Sequence, residues 1–405
     1  MRSILILAFG ILILGCAQDV QWRGALASGD RALEAGRYEE ARQAFLKAQQ
    51  GAQRLEPDQD GPYMAASLDR LCHLYFVQEQ YADAEALCRQ ALEIREKTDG
   101  PTHPDTATSL IHLSNVLQAQ RRYVKAEALL RRALAIRKDV LGPGNPDTAN
   151  TMVQLGDLYR EVGRMEQARD MYVQAVPILE QTLGNEHLRV AELLTTIGET
   201  DVALGAYDEA RPMLQRALVI REKVLGPDHV AVATTLSTLG LVLTTQGQYE
   251  AAASVHQRVV EILEAQEGNH DAAIAASLSN LARVYELQGR YAKSEALHRQ
   301  ALEIRERALG PSHPQVARTR TSLAGVFEAE GRLSEAQEQY QRAIKIYEAS
   351  KGQYQAAYAK ALKGYATLLK RQQKPEEAER LEQRANQILS QAGGTSGGNR
   401  SAVLE

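Results

Sequence analysis

Net charge is the first thing this chain lacks. Its 47 lysines and arginines stand against 51 aspartates and glutamates, a balance of -4. A protein without a basic excess has no electrostatic footprint for a polyanion, so no nucleic acid is expected as a partner. A membrane-spanning run is lacking too. The apolar stretch at the start, from Ile4 to Leu14, is eleven residues long, well short of the roughly 20 that a spanning helix needs. No glycine-rich phosphate loop, nucleophile elbow or isolated pair of catalytic carboxylates occurs, so nothing points to an enzyme. Cysteine is scarce, at positions 16, 72 and 88 only.

What the chain has instead is periodicity. Gly100, Gly142, Gly184, Gly226, Gly268, Gly310 and Gly352 are spaced by 42 residues. In the same frame stand Tyr123, Met165, Tyr207, Tyr249, Tyr291, Leu333 and Pro375, each followed three residues later by alanine or serine. Such regularity identifies a repeat array, in which each unit buries its apolar face on its neighbours. Within each unit a small residue is followed 12 residues later by a second small one, then by a larger residue and another small one, as in Gly29/Ala41/Phe45/Ala48 and Gly156/Ala168/Tyr172/Ala175. Small residues let two antiparallel helices approach to about 8–10 Å while the larger side chain fills the wedge beside them. Apolar residues at helical spacing between these landmarks, such as Leu110, Leu113 and Leu117, support helices throughout.

The turns between units carry helix-start signals. His103, Asn145, His187, His229, Asp271 and His313 share one N-cap position, and Pro104, Pro146 and Pro314 follow directly. Histidines placed one to a turn read as caps rather than metal ligands, so no metal or cofactor is expected. Arg95, Arg137, Arg221 and Arg305 recur near the ends of second helices, where a cation meets the negative end of the helix dipole. Cys72 and Cys88 fall on facing positions of one hairpin. Either they form a disulfide, which for a loop of this length is worth about 3 kcal/mol, or they are two small buried residues.

Small, aromatic, alanine, bulky and alanine residues at these offsets resemble the tetratricopeptide repeat. The 42-residue period, with Gly-Pro-x-His-Pro at Gly310 to Pro314 and helices ending Ala-Leu-Glu-Ile-Arg-Glu, resembles the kinesin-light-chain variety in particular. The resemblance implies an all-α, right-handed superhelical solenoid of about nine antiparallel helix pairs whose first helices line a concave groove. Carried onto this sequence, it makes Asn115, Gln118, Asp157, Arg160, Glu199, Arg283, Glu286, Glu328 and Lys370 candidates for binding a protein or peptide partner. These are mixed in sign, which suits a protein better than a polyanion.

At the start of the chain, Arg2, the short apolar run and Ile13-Leu14-Gly15-Cys16 resemble a bacterial lipoprotein signal. The resemblance implies lipidation at Cys16 and, with Ala17 following, a bacterial cell-envelope location on the outer membrane, facing the periplasm. The chain thus reads as a signal peptide over 1–15, a repeat array over 16–392 and a flexible Gly- and Ser-rich tail over 393–405. The expected function is a membrane-anchored interaction scaffold; the alternative is an accessory or glycan-binding module of a cell-envelope enzyme system.

Overall fold

The computed structural model describes residues 2–395 apart from 57, 59, 267, 269 and 351, with side chains from 18 to 391. The Cys16 side chain and the tail beyond residue 395 lie outside the described residues. Among those described, all regular structure is helical. The chain forms two compact units, Met1–Thr182 and Leu183–Glu405.

The first unit holds α1 (Arg2–Glu34), α2 (Tyr38–Leu55), α3 (Pro62–Val77), α4 (Tyr81–Thr98), α5 (Pro104–Ala119), α6 (Tyr123–Val140), α7 (Pro146–Glu161) and α8 (Met165–Leu183), the last residue of which begins the second unit. The second unit holds α9 (Leu188–Leu204), α10 (Tyr207–Leu225), α11 (Val230–Thr245), α12 (Tyr249–Ala265), α13 (Asp271–Leu287), α14 (Tyr291–Leu309), α15 (Pro314–Ala329), α16 (Leu333–Ala349), α17 (Gln355–Arg371) and α18 (Pro375–Thr395). Consecutive helices pair as hairpins, giving nine pairs among the described residues. Within each unit, successive first helices also touch, α3 against α5, α9 against α11 and α15 against α17.

The small-residue rule has a direct steric cause. A Cβ placed on Gly156 would stand 2.6 Å from the Tyr172 ring, and one on Gly198 the same distance from Leu214. Both large side chains are fully buried, so the hairpin closes only where the facing position is small. The loop inside the hairpin needs a left-handed residue, as at Gly163 with φ 77°. In three loops that place is filled by Glu79, Arg121 and Gln373, at φ 60°, 58° and 62°.

The caps form as expected at His103, Asn145, His187, His229 and His313, whose side chains accept from the backbone N–H two residues on. Asp271 departs from the pattern. It is the first residue of α13, behind His270, and its carboxylate accepts from Arg307 Nη2 at 3.2 Å instead of capping. The polar stretch from 17 to 23 lies inside α1. Trp22 holds it there, donating to Ser67 Oγ at 2.9 Å and meeting Tyr63 edge-on at 4.7 Å. In place of the usual turn before α3, Glu56 accepts from the backbone N–H of Tyr63 and Met64 at 3.1 and 3.0 Å.

Candidate functional site

The recurring arginines do more than meet a helix dipole. Arg95, Arg137, Arg221 and Arg305 are buried, and each guanidinium reaches sideways into the next hairpin. Arg137 donates to the Thr151 hydroxyl at 2.9 Å, to the Asp147 carbonyl at 3.0 Å and back to Thr108 on its own hairpin at 3.1 Å. Arg221 meets the Ala231 carbonyl at 2.8 Å and Thr235; Arg305 meets Thr319, and Ser279 at 3.2 Å. Burial lowers the pKa of Arg137 and Arg221, and that of Arg305 to about 10. These rungs fix how neighbouring first helices sit, and therefore the spacing of whatever those helices present.

In the first unit the same rung closes over an acid. Arg95 Nη2 lies 2.9 Å from buried Asp69, which also accepts from Ser109 at 3.0 Å and faces His112 Nδ1 at 3.3 Å. Burial pushes the Asp69 carboxyl up, but His112, Arg95 and Ser109 outweigh it and hold it below the usual range. His73 stacks on His112 at 6.4 Å, and burial lowers its pKa, with His112 adding to the effect. Cys72 on α3 and Cys88 on α4 form a disulfide with Cα atoms 5.5 Å apart. Asp99, His103 and Asp105 gather ligand atoms within 4.8 Å of one another. His103 Nδ1 is already the cap acceptor for α5, and Arg95 stands 3.3 Å from Asp105, so the cluster has a guanidinium as its cation.

The nine groove candidates separate once their partners are known. Asp157 accepts from the Tyr172 hydroxyl at 2.7 Å, and burial raises its pKa against that bond. Gln118 donates to Glu161, Glu328 takes Arg371 at 3.3 Å, and Lys370 takes Glu382 at 2.6 Å. Asn115 and Glu199 are half-buried and Arg160 is exposed. Arg283 and Glu286, by contrast, come together in a cavity of about 520 Å³ on the first-helix side of the second unit.

Three first helices build this cavity. From α13 come Arg283 and Glu286, from α15 Thr321, Ser322 and Gly325, and from α17 Lys360, Lys363, Gly364 and Thr367; Tyr340 and Leu389 close it. Gly364 makes room for Tyr340, since a Cβ there would stand 2.7 Å from the hydroxyl oxygen. Gly325 faces open space, with no atom within 4 Å of where its Cβ would be. Glu286 is held from behind by buried His298, whose Nε2 lies 2.9 Å away, and by the Ser294 hydroxyl at 3.2 Å. Lys360 lies ten residues before Lys370, the groove candidate on α17, and was not itself a candidate; the cation at Arg318 one repeat earlier was the available signal.

The tetratricopeptide repeat family pattern matches residues 63–139, 107–181, 147–223, 189–265 and 272–349. No curated protein matches the chain. Among solved structures it is similar to the apo form of RapI, with 13% identity, a TM-score of 0.69, and coverage of 91% of this chain and 98% of that one. It is similar to the apo form of the quorum sensor NprR from B. thuringiensis, with 14% identity, a TM-score of 0.62, and coverage of 91% and 98%. A third similarity is to BtubC (BKLC) from P. vanneervenii, with 24% identity, a TM-score of 0.49, and coverage of 57% and 92%. Paired helices, small-residue seams and the repeated family match agree: the chain belongs to the tetratricopeptide repeat family.

Proposed function

We propose that this protein is a non-enzymatic scaffold that holds an extended segment of a protein partner along its first helices, anchored to a bacterial envelope membrane through a lipid at Cys16. The observation that carries the binding role is the cavity between α13, α15 and α17, whose lining mixes charge, hydroxyl and apolar surface on a rigid helical frame. A fold typical of protein-interaction scaffolds supports it. The anchor rests on the Ile13-Leu14-Gly15-Cys16 sequence, with the array facing the periplasm from the outer membrane. No helix among the described residues is long and apolar enough to cross a membrane.

The two halves of the reading have separate tests. A Cβ at Gly325 would meet no atom within 4 Å, so Gly325→Trp directs an indole into the cavity. Co-purification from native membranes should yield a partner with the wild type and lose it with this variant. Equal recovery in both would place binding elsewhere. For the anchor, labelling with radioactive palmitate should vanish in Cys16→Ser, and undiminished labelling would remove Cys16 from the account.

A further inference from the structure

We infer that His73 on α3 and His112 on α5 hold a divalent transition-metal ion between them in the first unit, with Asp69 orienting His112; this stands apart from the scaffold reading. The two rings make the one histidine–histidine contact among the described residues, with centres 6.4 Å apart and planes inclined by 19°. Their support sets them apart from the other histidines. Buried Asp69 faces His112 Nδ1 at 3.3 Å, and Arg95 at 2.9 Å and Ser109 at 3.0 Å hold its carboxylate charged and in place. A carboxylate acceptor keeps the His112 proton on Nδ1 and leaves the Nε2 lone pair free. A carboxylate behind a histidine is how proteins orient an imidazole towards a metal. The capping histidines His103, His187, His229 and His313 have the opposite arrangement. Their Nδ1 accepts from the backbone, so the proton sits on Nε2 and neither nitrogen is open.

His73 supplies the second nitrogen. Among the described residues its ring makes no hydrogen bond, and it reaches solvent, so it is free to turn towards His112. Nitrogens turned towards one another from rings with centres 6.4 Å apart are separated by about the length of two metal–nitrogen bonds of roughly 2.0–2.1 Å each. Burial, His112 and Arg70 lower the His73 pKa, which favours the neutral ring that a metal requires. The Arg70 charge is itself balanced by Asp30 at 2.9 Å. Paired imidazoles suit zinc, copper and nickel rather than magnesium or calcium. Two protein ligands leave the remaining coordination positions to water.

Titration of the untagged, metal-free full chain with Cu²⁺, followed by electron paramagnetic resonance, tests this. The first equivalent should bind with two imidazole nitrogens in its superhyperfine pattern. His73→Ala and His112→Ala should each remove one nitrogen from that pattern and weaken binding. His73→Gln, with helicity checked by circular dichroism, guards against a folding defect and should do the same. Asp69→Asn should keep both nitrogens while weakening binding about 10–100-fold, as loss of an orienting carboxylate does. The double variant His187→Ala/His229→Ala, which removes two capping histidines, should leave the first equivalent unchanged. A first equivalent that ignores His73 and His112, a signal without imidazole nitrogen, or equal loss in the capping variant overturns the inference. Unweakened binding in Asp69→Asn also overturns it, since the carboxylate would then orient nothing.

Discussion

Arg137 on α6 lies 2.9 Å from the Thr151 hydroxyl on α7, a bond between neighbouring hairpins made by a buried cation and a buried alcohol. Replacing Arg137 with leucine leaves the Thr151 and Asp147 acceptors without this donor. A lost hydrogen bond to a charged group costs about 1.5–3 kcal/mol. Urea denaturation should show a loss of that order for Arg137→Leu, and a much smaller further loss for Thr151→Val in that background than in the wild type. Additive losses would mean that the two residues do not work as a pair.

His256 provides a pH dependence whose sign can be worked out. Its ring is buried against Gly240, and burial lowers its pKa from 6.5 to about 4. The folded pKa lies below the unfolded one, so the unfolded chain binds the extra proton between these values. Stability therefore falls as pH drops from 6.5 towards 4 and levels off below, a full difference of roughly 3 kcal/mol. His256→Leu, which copies Leu214 one repeat earlier, should flatten the urea midpoint between pH 7 and pH 5. An unchanged slope would assign the acid sensitivity to other groups.

Arg121 occupies the left-handed region at φ 58°, where a Cβ costs about 1–2 kcal/mol. It is exposed and Gly163 fills the corresponding loop one repeat later. Arg121→Gly should raise the thermal midpoint, by about 1 kcal/mol of stability net of the added chain freedom. A lower midpoint would show that the arginine side chain outweighs its backbone.

The seam between paired helices predicts a compensating pair. Gly156→Ala forces a methyl against the Tyr172 ring and should destabilise by about 1–3 kcal/mol. Tyr172→Leu in that background should recover part of the loss, since Ser114 and Leu130 coexist at the same positions one repeat earlier. Comparison of the two variants by thermal denaturation decides it.

The disulfide between Cys72 and Cys88 forms only in an oxidising compartment. Intact mass after alkylation should rise only when the mature protein is reduced first, and reduction should lower stability by about 3 kcal/mol. Alkylation without reduction would show that both thiols are free.

Much of this architecture is written in local rules. Gly156 opposite Tyr172, the histidine caps and the 42-residue glycine frame each follow from sterics or hydrogen bonding within a few turns, so spacing alone exposes them. The arginine rungs needed a longer view. Arg95, Arg137, Arg221 and Arg305 are each followed 14 residues later by serine or threonine, whereas Leu179 and Tyr347 are followed by Leu193 and Ala361. The signal was present, but a repeat frame read one position at a time does not show pairings between positions. The groove was harder still. Periodicity says which helix face Glu328 and Lys370 occupy, but not that Arg371 and Glu382 already pair with them. That Arg283, Lys360 and Lys363 line one cavity appears only when three repeats are brought side by side.

The central claim is that partners lie along the first helices. Photo-crosslinking tests it most directly, with benzoylphenylalanine placed at Thr321 inside the cavity and, separately, at exposed Val219 on the second helix α10. A partner crosslinked from position 321 and not from 219 is the predicted result. Crosslinking from 219 alone, or equally from both, would contradict the account.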